Sequence, residues 1–144
     1  MYKVIVFAGT TEGYEISRFL GENQIPVLAC VATEYGSKSL KESSTLHVQA
    51  GRLDENEMKE LFSREKPELV LDATHPYAAE VTRNIRKACE EAEVSYTRIL
   101  RTGSGQQNAV YVKDTQEAAE YLKGTTGNVL LTTGSKELGK FTEL

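Results

Sequence analysis

Short apolar, β-branched runs recur along the chain with amphipathic stretches between them. Val4-Ile5-Val6-Phe7, Val27-Leu28-Ala29-Cys30-Val31 and Leu69-Val70-Leu71 leave no alternate position for water. Runs of this kind belong to parallel strands covered on both faces. The pattern predicts strands over Lys3–Phe7, Pro26–Val31, Leu46–Gln49, Glu68–Asp72, Tyr96–Leu100, Ala109–Val112 and Asn128–Thr132. Helices are predicted over Glu12–Glu22, Glu55–Glu65, Ala78–Ala92 and Thr115–Lys123. The second of these is signalled most clearly. Asp54 caps it, Glu57 completes a capping box, and Met58, Leu61 and Phe62 form its apolar stripe. The alternation predicts an α/β fold: an open, mainly parallel sheet with helices on both faces, Rossmann- or flavodoxin-like.

After the fifth strand the pattern breaks. Thr102-Gly103-Ser104-Gly105-Gln106-Gln107-Asn108 reads as a polar loop of low order. It divides an N-terminal α/β domain (residues 1–108) from a shorter stretch (residues 109–144). That stretch echoes the beginning, since Val129–Glu137 can be laid over Val4–Glu12 as an apolar strand, a glycine, hydroxyls and a glutamate opening a helix. So little strand and helix does not bury a core alone. The expectation is the truncated start of a second α/β half.

Candidate chemistry gathers where strands end. Asp72-Ala73-Thr74-His75-Pro76-Tyr77-Ala78 follows a buried strand and puts an acid, a hydroxyl, an imidazole and a phenol into one turn. Open α/β sheets bind ligands at the carboxyl ends of their strands, so this cluster is expected to line a site. In the alternative, Asp72 bonds loop amides and His75 is a satisfied buried imidazole. Ala8-Gly9-Thr10-Thr11-Glu12-Gly13 leads from the first strand into a helix, where free amides and hydroxyls favour phosphate. Its spacing is not G-x-G-x-x-G, and the same residues also serve as a plain turn with a threonine cap. Glu34 lies about 20 positions after Gly13, near where a dinucleotide fold places its ribose-binding acid. The alternative is an exposed glutamate in a turn closed by Gly36. Asp54 reads as a helix cap, and Arg52 on the same rim as a cation able to hold carboxylate or phosphate. Of Arg98 and Arg101, either reads as a surface cation, with Arg101 the better site candidate. His47, solitary in a short strand, reads as structural.

Composition narrows the classes. Of 144 residues, 40% are hydrophobic and 26% charged, and the net charge of −4 is not that of a nucleic-acid binder. No apolar run approaches a membrane span. The chain opens directly on a strand with no visible signal peptide and reads as cytoplasmic. Cys30 and Cys89 lack partners at metal-ligand spacing and read as buried apolar residues, so no metal is expected. Without a nucleophile elbow or a P-loop lysine, a hydride-carrying redox enzyme fits better than a hydrolase or a phosphoryl transferase.

The blocks Gly9-Thr10-Thr11-Glu12-Gly13, Val31-Ala32-Thr33-Glu34-Tyr35-Gly36, Gly51-Arg52-Leu53, Asp72–Ala78 and Thr132-Thr133-Gly134-Ser135, in this order, resemble the precorrin-6A and cobalt-precorrin-6A reductases. The Asp-Ala-Thr-His-Pro-Tyr-Ala block is the specific one. Members of that family are nearly twice as long, with two α/β halves and the nicotinamide site between them. They commonly carry a proline and an aromatic after the strand-five arginines, where this chain has Thr102-Gly103-Ser104. The resemblance implies that hydride from NADPH or NADH reduces one C=C bond of a tetrapyrrole macrocycle in cobalamin synthesis. It implies cofactor contacts from Gly9, Thr10, Thr11, Glu12, Thr33, Glu34 and Thr74. Substrate contacts would come from Tyr35, Gly36, Arg52 and Arg101, with Lys38 as a further anchor. His75 or Tyr77, held by Asp72, or else solvent, would give the proton.

Two rival readings remain beside it. One is another nicotinamide-dependent reductase on the same scaffold. The other is a nucleotide- or tetrapyrrole-binding module without catalysis. Neither nucleic acid nor membrane is an expected partner, and an uncovered strand edge in residues 109–144 would favour homo-oligomers.

Overall fold

The uninterrupted apolar runs become the middle of a sheet. The computed structural model describes residues 1–100 and 109–142, and the chain divides into two compact units, Met1–Thr102 and Gly103–Leu144. In the first unit, strands β1 (Val4–Ala8), β2 (Val27–Val31), β3 (Leu46–Ala50), β4 (Leu69–Ala73) and β5 (Ser95–Arg98) alternate with helices α1 (Thr11–Glu22), α2 (Glu34–Ser37), α3 (Glu55–Glu65) and α4 (Ala79–Glu91). The five strands form one sheet in the order β3-β2-β1-β4-β5, and every neighbouring pair is parallel.

Alternation along the strands builds two cores. Val4, Val6, Ala8, Val27, Ala29, Val31 and Leu71 face one way, where Tyr14, Ile16 and Leu20 of α1 pack. Ile5, Phe7, Leu28, Cys30 and Val70 face the other way, against Met58, Leu61 and Phe62 of α3 and Ile85, Ala88 and Cys89 of α4. Burying each large side chain among these stabilises the fold by about 1.5–3 kcal/mol over leaving it in water. The helix from Asp54 forms as predicted, with both arms of its capping box closed. Cys30 and Cys89 are free and buried.

Helix α1 approaches the sheet through small residues. Gly13, Ser17 and Gly21 are its buried positions, and Ser17 turns its hydroxyl back to the Gly13 carbonyl at 2.7 Å. A Cβ on Gly13 would lie 2.9 Å from the Ala8 Cα and 3.0 Å from the Ala73 Cβ. The close seat of α1 over the β1–β4 pair therefore requires glycine there.

The second unit departs from expectation. Helix α5 (Thr115–Leu122) forms, capped by Asp114. A 3-10 helix, Ser135–Phe141, stands where the sequence echo predicts an α-helix. Glu137 on it accepts from Thr115 and from Lys140. Neither Ala109–Val112 nor Asn128–Thr132 becomes a strand. Leu130, for example, is 88% exposed. A strand is defined by its neighbours, and β-propensity does not replace a paired, half-buried surface. The predicted loop Thr102–Asn108 and Arg101 lie outside the described residues.

The Gly13 packing generates a first prediction. Alanine gains at most about 1 kcal/mol in helix propensity, whereas forcing a methyl against backbone costs about 1–3 kcal/mol. Gly13→Ala is expected to lower the urea midpoint at unchanged m-value.

Candidate functional site

In this strand order β1 and β4 lie side by side at the centre. The chain leaves β1 for α1 on one face and leaves β4 for α4 on the other. Loops diverging from adjacent parallel strands open a crevice at their carboxyl ends, the switch point of doubly wound sheets. Gly9 joins the two edges. Its N–H donates to the Ala73 carbonyl at 3.1 Å, and a Cβ there would stand 3.2 Å from the Thr74 Cα. Thr10 caps α1, accepting from the Gly13 N–H at 3.4 Å while its own hydroxyl donates to the Ala73 carbonyl at 3.1 Å.

The turn Thr74–Tyr77 splits the opening in two. On the α1 side a crevice of about 420 Å³ is lined by Gly9, Thr10, Thr11, Glu12, Thr74, His75, Pro76, Tyr77 and Ile99. On the α3/α4 side a larger one, about 840 Å³, shares Gly9, Thr74, His75 and Tyr77. It runs past Val31, Ala32, Gly51 and Arg52 to Ala78, Ala79, Glu80, Val81 and Asn84. Helix α4 begins at this wall without a capping side chain.

Asp72 supports the dividing turn from below. It is fully buried at the end of β4, where an unpaired carboxylate would be severely destabilising. Its Oδ1 accepts from the Thr74 N–H at 3.0 Å and the Thr74 hydroxyl at 2.7 Å. Oδ2 accepts from the Tyr96 hydroxyl at 3.1 Å. The Arg98 guanidinium forms an ion pair with Oδ1. Arg98 also donates to the Thr74 hydroxyl at 2.7 Å, to the Thr74 carbonyl at 3.0 Å and to the His75 carbonyl at 3.4 Å. Helix α4 joins the network through Thr82, whose hydroxyl lies 3.3 Å from that of Thr74. Arg86 lies over the Tyr96 ring, 5.4 Å from its centroid. Burial pushes the Tyr96 phenol above its ordinary value, and the Asp72 charge and hydrogen bond push it the same way.

This corrects two expectations. Asp72 does not hold His75 or Tyr77; its described partners are Thr74, Tyr96 and Arg98. Nor is Arg98 a surface cation, since its side chain is only 15% exposed. The signal for both lies in the register of β4 with β5. Arg98 stands opposite Asp72 in the parallel register, and Tyr96, two residues earlier, shares its face.

His75 is not the buried imidazole of the alternative reading; it is exposed, as is Tyr77. Their rings lie 5.2 Å apart, and the Tyr77 N–H donates to His75 Nδ1 at 3.4 Å. Thr33 caps the short helix α2, accepting from the Gly36 N–H at 3.1 Å, so Glu34 and Tyr35 begin a helix rather than a simple turn. Gly36 is buried where a Cβ would stand 2.9 Å from the Tyr14 hydroxyl oxygen. Thr33, Glu34, Tyr35, Gly36 and Lys38 are not among the residues lining either crevice. Cys30 touches the larger one, but burial pushes its thiol up to about 12, which makes it inert as a nucleophile. His47 stacks edge-on with Tyr2 at 5.6 Å, away from both crevices. Among the described residues, no cluster of His, Cys, Asp and Glu could hold a metal ion, and no helix is long and apolar enough to cross a membrane.

Comparison with known proteins finds relatives over most of the chain. The family model described as precorrin-6x reductase CbiJ/CobK matches residues 3–144. The cobalt-precorrin-6A reductase of Methanocaldococcus jannaschii is 32% identical over 123 residues, 83% of this chain and 49% of that protein. That of Priestia megaterium is 30% identical over 97% of this chain and 55% of its own length. The chain thus spans about half the length of the curated relatives it matches. The solved structure of a CobK precorrin-6A reductase superposes with a TM-score of 0.68 at 24% identity, over 83% of this chain and 48% of that one. The Bordetella bronchiseptica enzyme WbmH, solved in complex with NAD+, does so with a TM-score of 0.55 at 21% identity, over 65% of this chain and 36% of its own. At such identities the two structures establish the shared fold.

The Asp72 network generates two further predictions. Arg98→Met strands a buried carboxylate and is expected to cost about 3–5 kcal/mol, enough to unfold a marginal domain. Tyr96→Phe removes a single donor and should cost about 1–3 kcal/mol, read by urea unfolding. The raised Tyr96 value also sets a pH signature. The unfolded chain loses the phenolic proton first, so this contribution is complete below the ordinary tyrosine value of 10.0 and declines as pH rises toward the higher folded value. Wild type is expected to lose stability more steeply than Tyr96→Phe above about pH 10.

Proposed function

The chain belongs to the precorrin-6x reductase family, and from that premise we propose that it carries the nucleotide-binding share of a macrocycle reductase. The reaction is reduction of one C=C bond of precorrin-6A or cobalt-precorrin-6A, in cobalamin biosynthesis, at the expense of NADPH or NADH. The observation that supports this reading best is the divided crevice at the β1–β4 switch point, with the N-terminus of α1 on one side and the larger, partly apolar chamber on the other.

The residues present suit a dinucleotide. Gly9 keeps the β1 loop flat against β4, and Thr10, Thr11 and Glu12 open a twelve-residue helix directly onto the crevice. Backbone amides at such a start favour a pyrophosphate. When bound, the nicotinamide supplies the hydride. The chain's own residues orient and shield. Thr74 and the turn it begins are fixed by Asp72 and Arg98, so the crevice wall is set before any ligand arrives, which lowers the cost of alignment. Tyr77, 90% exposed on that wall, offers a flat aromatic face to a conjugated ring. The Tyr77 N–H donates to His75 Nδ1 and orients the ring on this wall, where an imidazolium at His75 gives up its proton to carbon and returns to the neutral ring. The substrate's carboxylates call for local cations, and of the candidates Tyr35, Gly36, Arg52 and Arg101 it is Arg52 that lines the larger crevice.

Titration of NADPH and NADH into the chain, followed by fluorescence, tests the cofactor half of this reading. Saturable binding is expected, weakened about 3- to 10-fold by Thr10→Ala, which removes both the cap and the tie to Ala73. Reduction is measured with the chain alone and fused to the C-terminal half of a curated relative. There His75→Ala should slow turnover about 100-fold with binding unchanged. Binding without reduction in either form would make this a binding module. No binding in either form would overturn the nicotinamide reading.

A further inference from the structure

The Thr74 hydroxyl has one hydrogen and two lone pairs, and the fold uses all three. Its hydrogen goes to Asp72 Oδ1 at 2.7 Å, since a carboxylate paired with a guanidinium carries no proton of its own. One lone pair accepts from Arg98, which can only donate, at 2.7 Å. The other faces the Thr82 hydroxyl at 3.3 Å. Distance alone leaves the sense of that last bond open, but the hydrogen count closes it. Thr82 is the donor.

Within a helix a threonine hydroxyl commonly turns back to the carbonyl four residues earlier. Here that carbonyl belongs to Ala78 and receives the Thr82 N–H at 3.2 Å. The Thr82 hydroxyl reaches instead to Thr74, eight residues back and beyond the dividing turn. What it ties down is a helix start with no cap of its own, because Ala78 makes no side-chain bond to the first amides of α4. The Ala78 N–H donates to the His75 carbonyl at 2.9 Å, which joins turn and helix through the backbone. Ala78, Ala79, Glu80, Val81 and Asn84 then wall the larger crevice, whereas Thr82 lines neither crevice. One turn further on, Arg86 lies over the ring of Tyr96, the donor to the second Asp72 oxygen.

We propose that Thr82 is a positioning residue for the reduction. Its hydroxyl ties the uncapped start of α4 to Thr74, so that the turn bearing His75 and Tyr77 and the α4 wall form one rigid surface against which the reactants align. Thr82 acts through Thr74 alone. Thr74 in turn serves by holding the turn, in place of the cofactor contact expected of it, because its hydroxyl has neither hydrogen nor lone pair left for a ligand. This role rests on the reductase reading above.

Thr82→Val keeps the branched shape and the helix propensity and removes only the hydroxyl. Hydrogen exchange on the full chain, followed by mass spectrometry, reads the wall without any ligand. Amides of residues 75–82 are expected to exchange about 5- to 10-fold faster in Thr82→Val, with β1 and β4 unchanged. Thr82→Ser, which restores the donor, should return them to within about 2-fold of wild type. In the chain fused to the C-terminal half of a curated relative, Thr82→Val should lower kcat about 10-fold with substrate KM within about 2-fold, and Thr82→Ser should recover it. Exchange unaltered by Thr82→Val overturns the assignment. So does faster exchange throughout the sheet, the mark of a purely structural residue, or a loosened wall with kcat unchanged. Each of these leaves the reductase reading intact. A wild-type fusion that binds no dinucleotide and reduces nothing overturns that reading, and this role with it, even where the exchange result holds.

Discussion

A carboxylate with no access to water sits at the centre of this sheet, and much of the local architecture follows from having to neutralise it. Asp72 ends the strand beside β1, on the face that α3 and α4 cover. In that environment an ionised group survives only if fully hydrogen-bonded and paired. The fold meets the demand with Thr74 from the following turn and with Tyr96 and Arg98 from the neighbouring strand. The same guanidinium then grips two carbonyls of the turn above. One buried charge thereby fixes the wall between two crevices. A hydrophobic residue at this place would leave Arg98 without its counter-charge and that wall without its anchor.

The rest of the site is a matter of direction. Because β1 feeds α1 on one face and β4 feeds α4 on the other, the two loops part over the sheet edge, and the crevice exists without any side chain being displaced to make it. Small residues then set its depth. Gly9 lets β1 close onto Thr74, and Gly13 lets α1 settle onto Ala8 and Ala73. The helix that offers its first amides to a ligand is thus held within contact distance of the strand that carries the polar turn.

Much of this was legible in the chain. Continuous apolar runs betray strands buried on both sides, and caps such as Asp54 mark helix starts, because both signals are local. The turn from Asp72 to Tyr77 could be recognised as a site because polar tips crowd the end of a buried strand. What remained hidden was non-local. Arg98 looks like any strand arginine until the register sets it opposite Asp72. Asp72 looks like a partner for His75 until the turn carries the imidazole outward. Glu34 counts correctly for a ribose acid, but α2 starts there and keeps it off the crevice lining. The stretches Ala109–Val112 and Asn128–Thr132 have the composition of strands, and composition alone does not supply the neighbour that a strand needs.

The outermost strand of an open sheet is normally the first to come away, opening at far less than the free energy of global unfolding. Here β5 carries both Tyr96 and Arg98, so detaching it would leave the Asp72 carboxylate bare in the apolar interior. Fraying at this end therefore incurs the cost of disrupting the centre. The amides of β5 should exchange with solvent almost as slowly as those of β4, and the unit should open there as a single cooperative block rather than strand by strand.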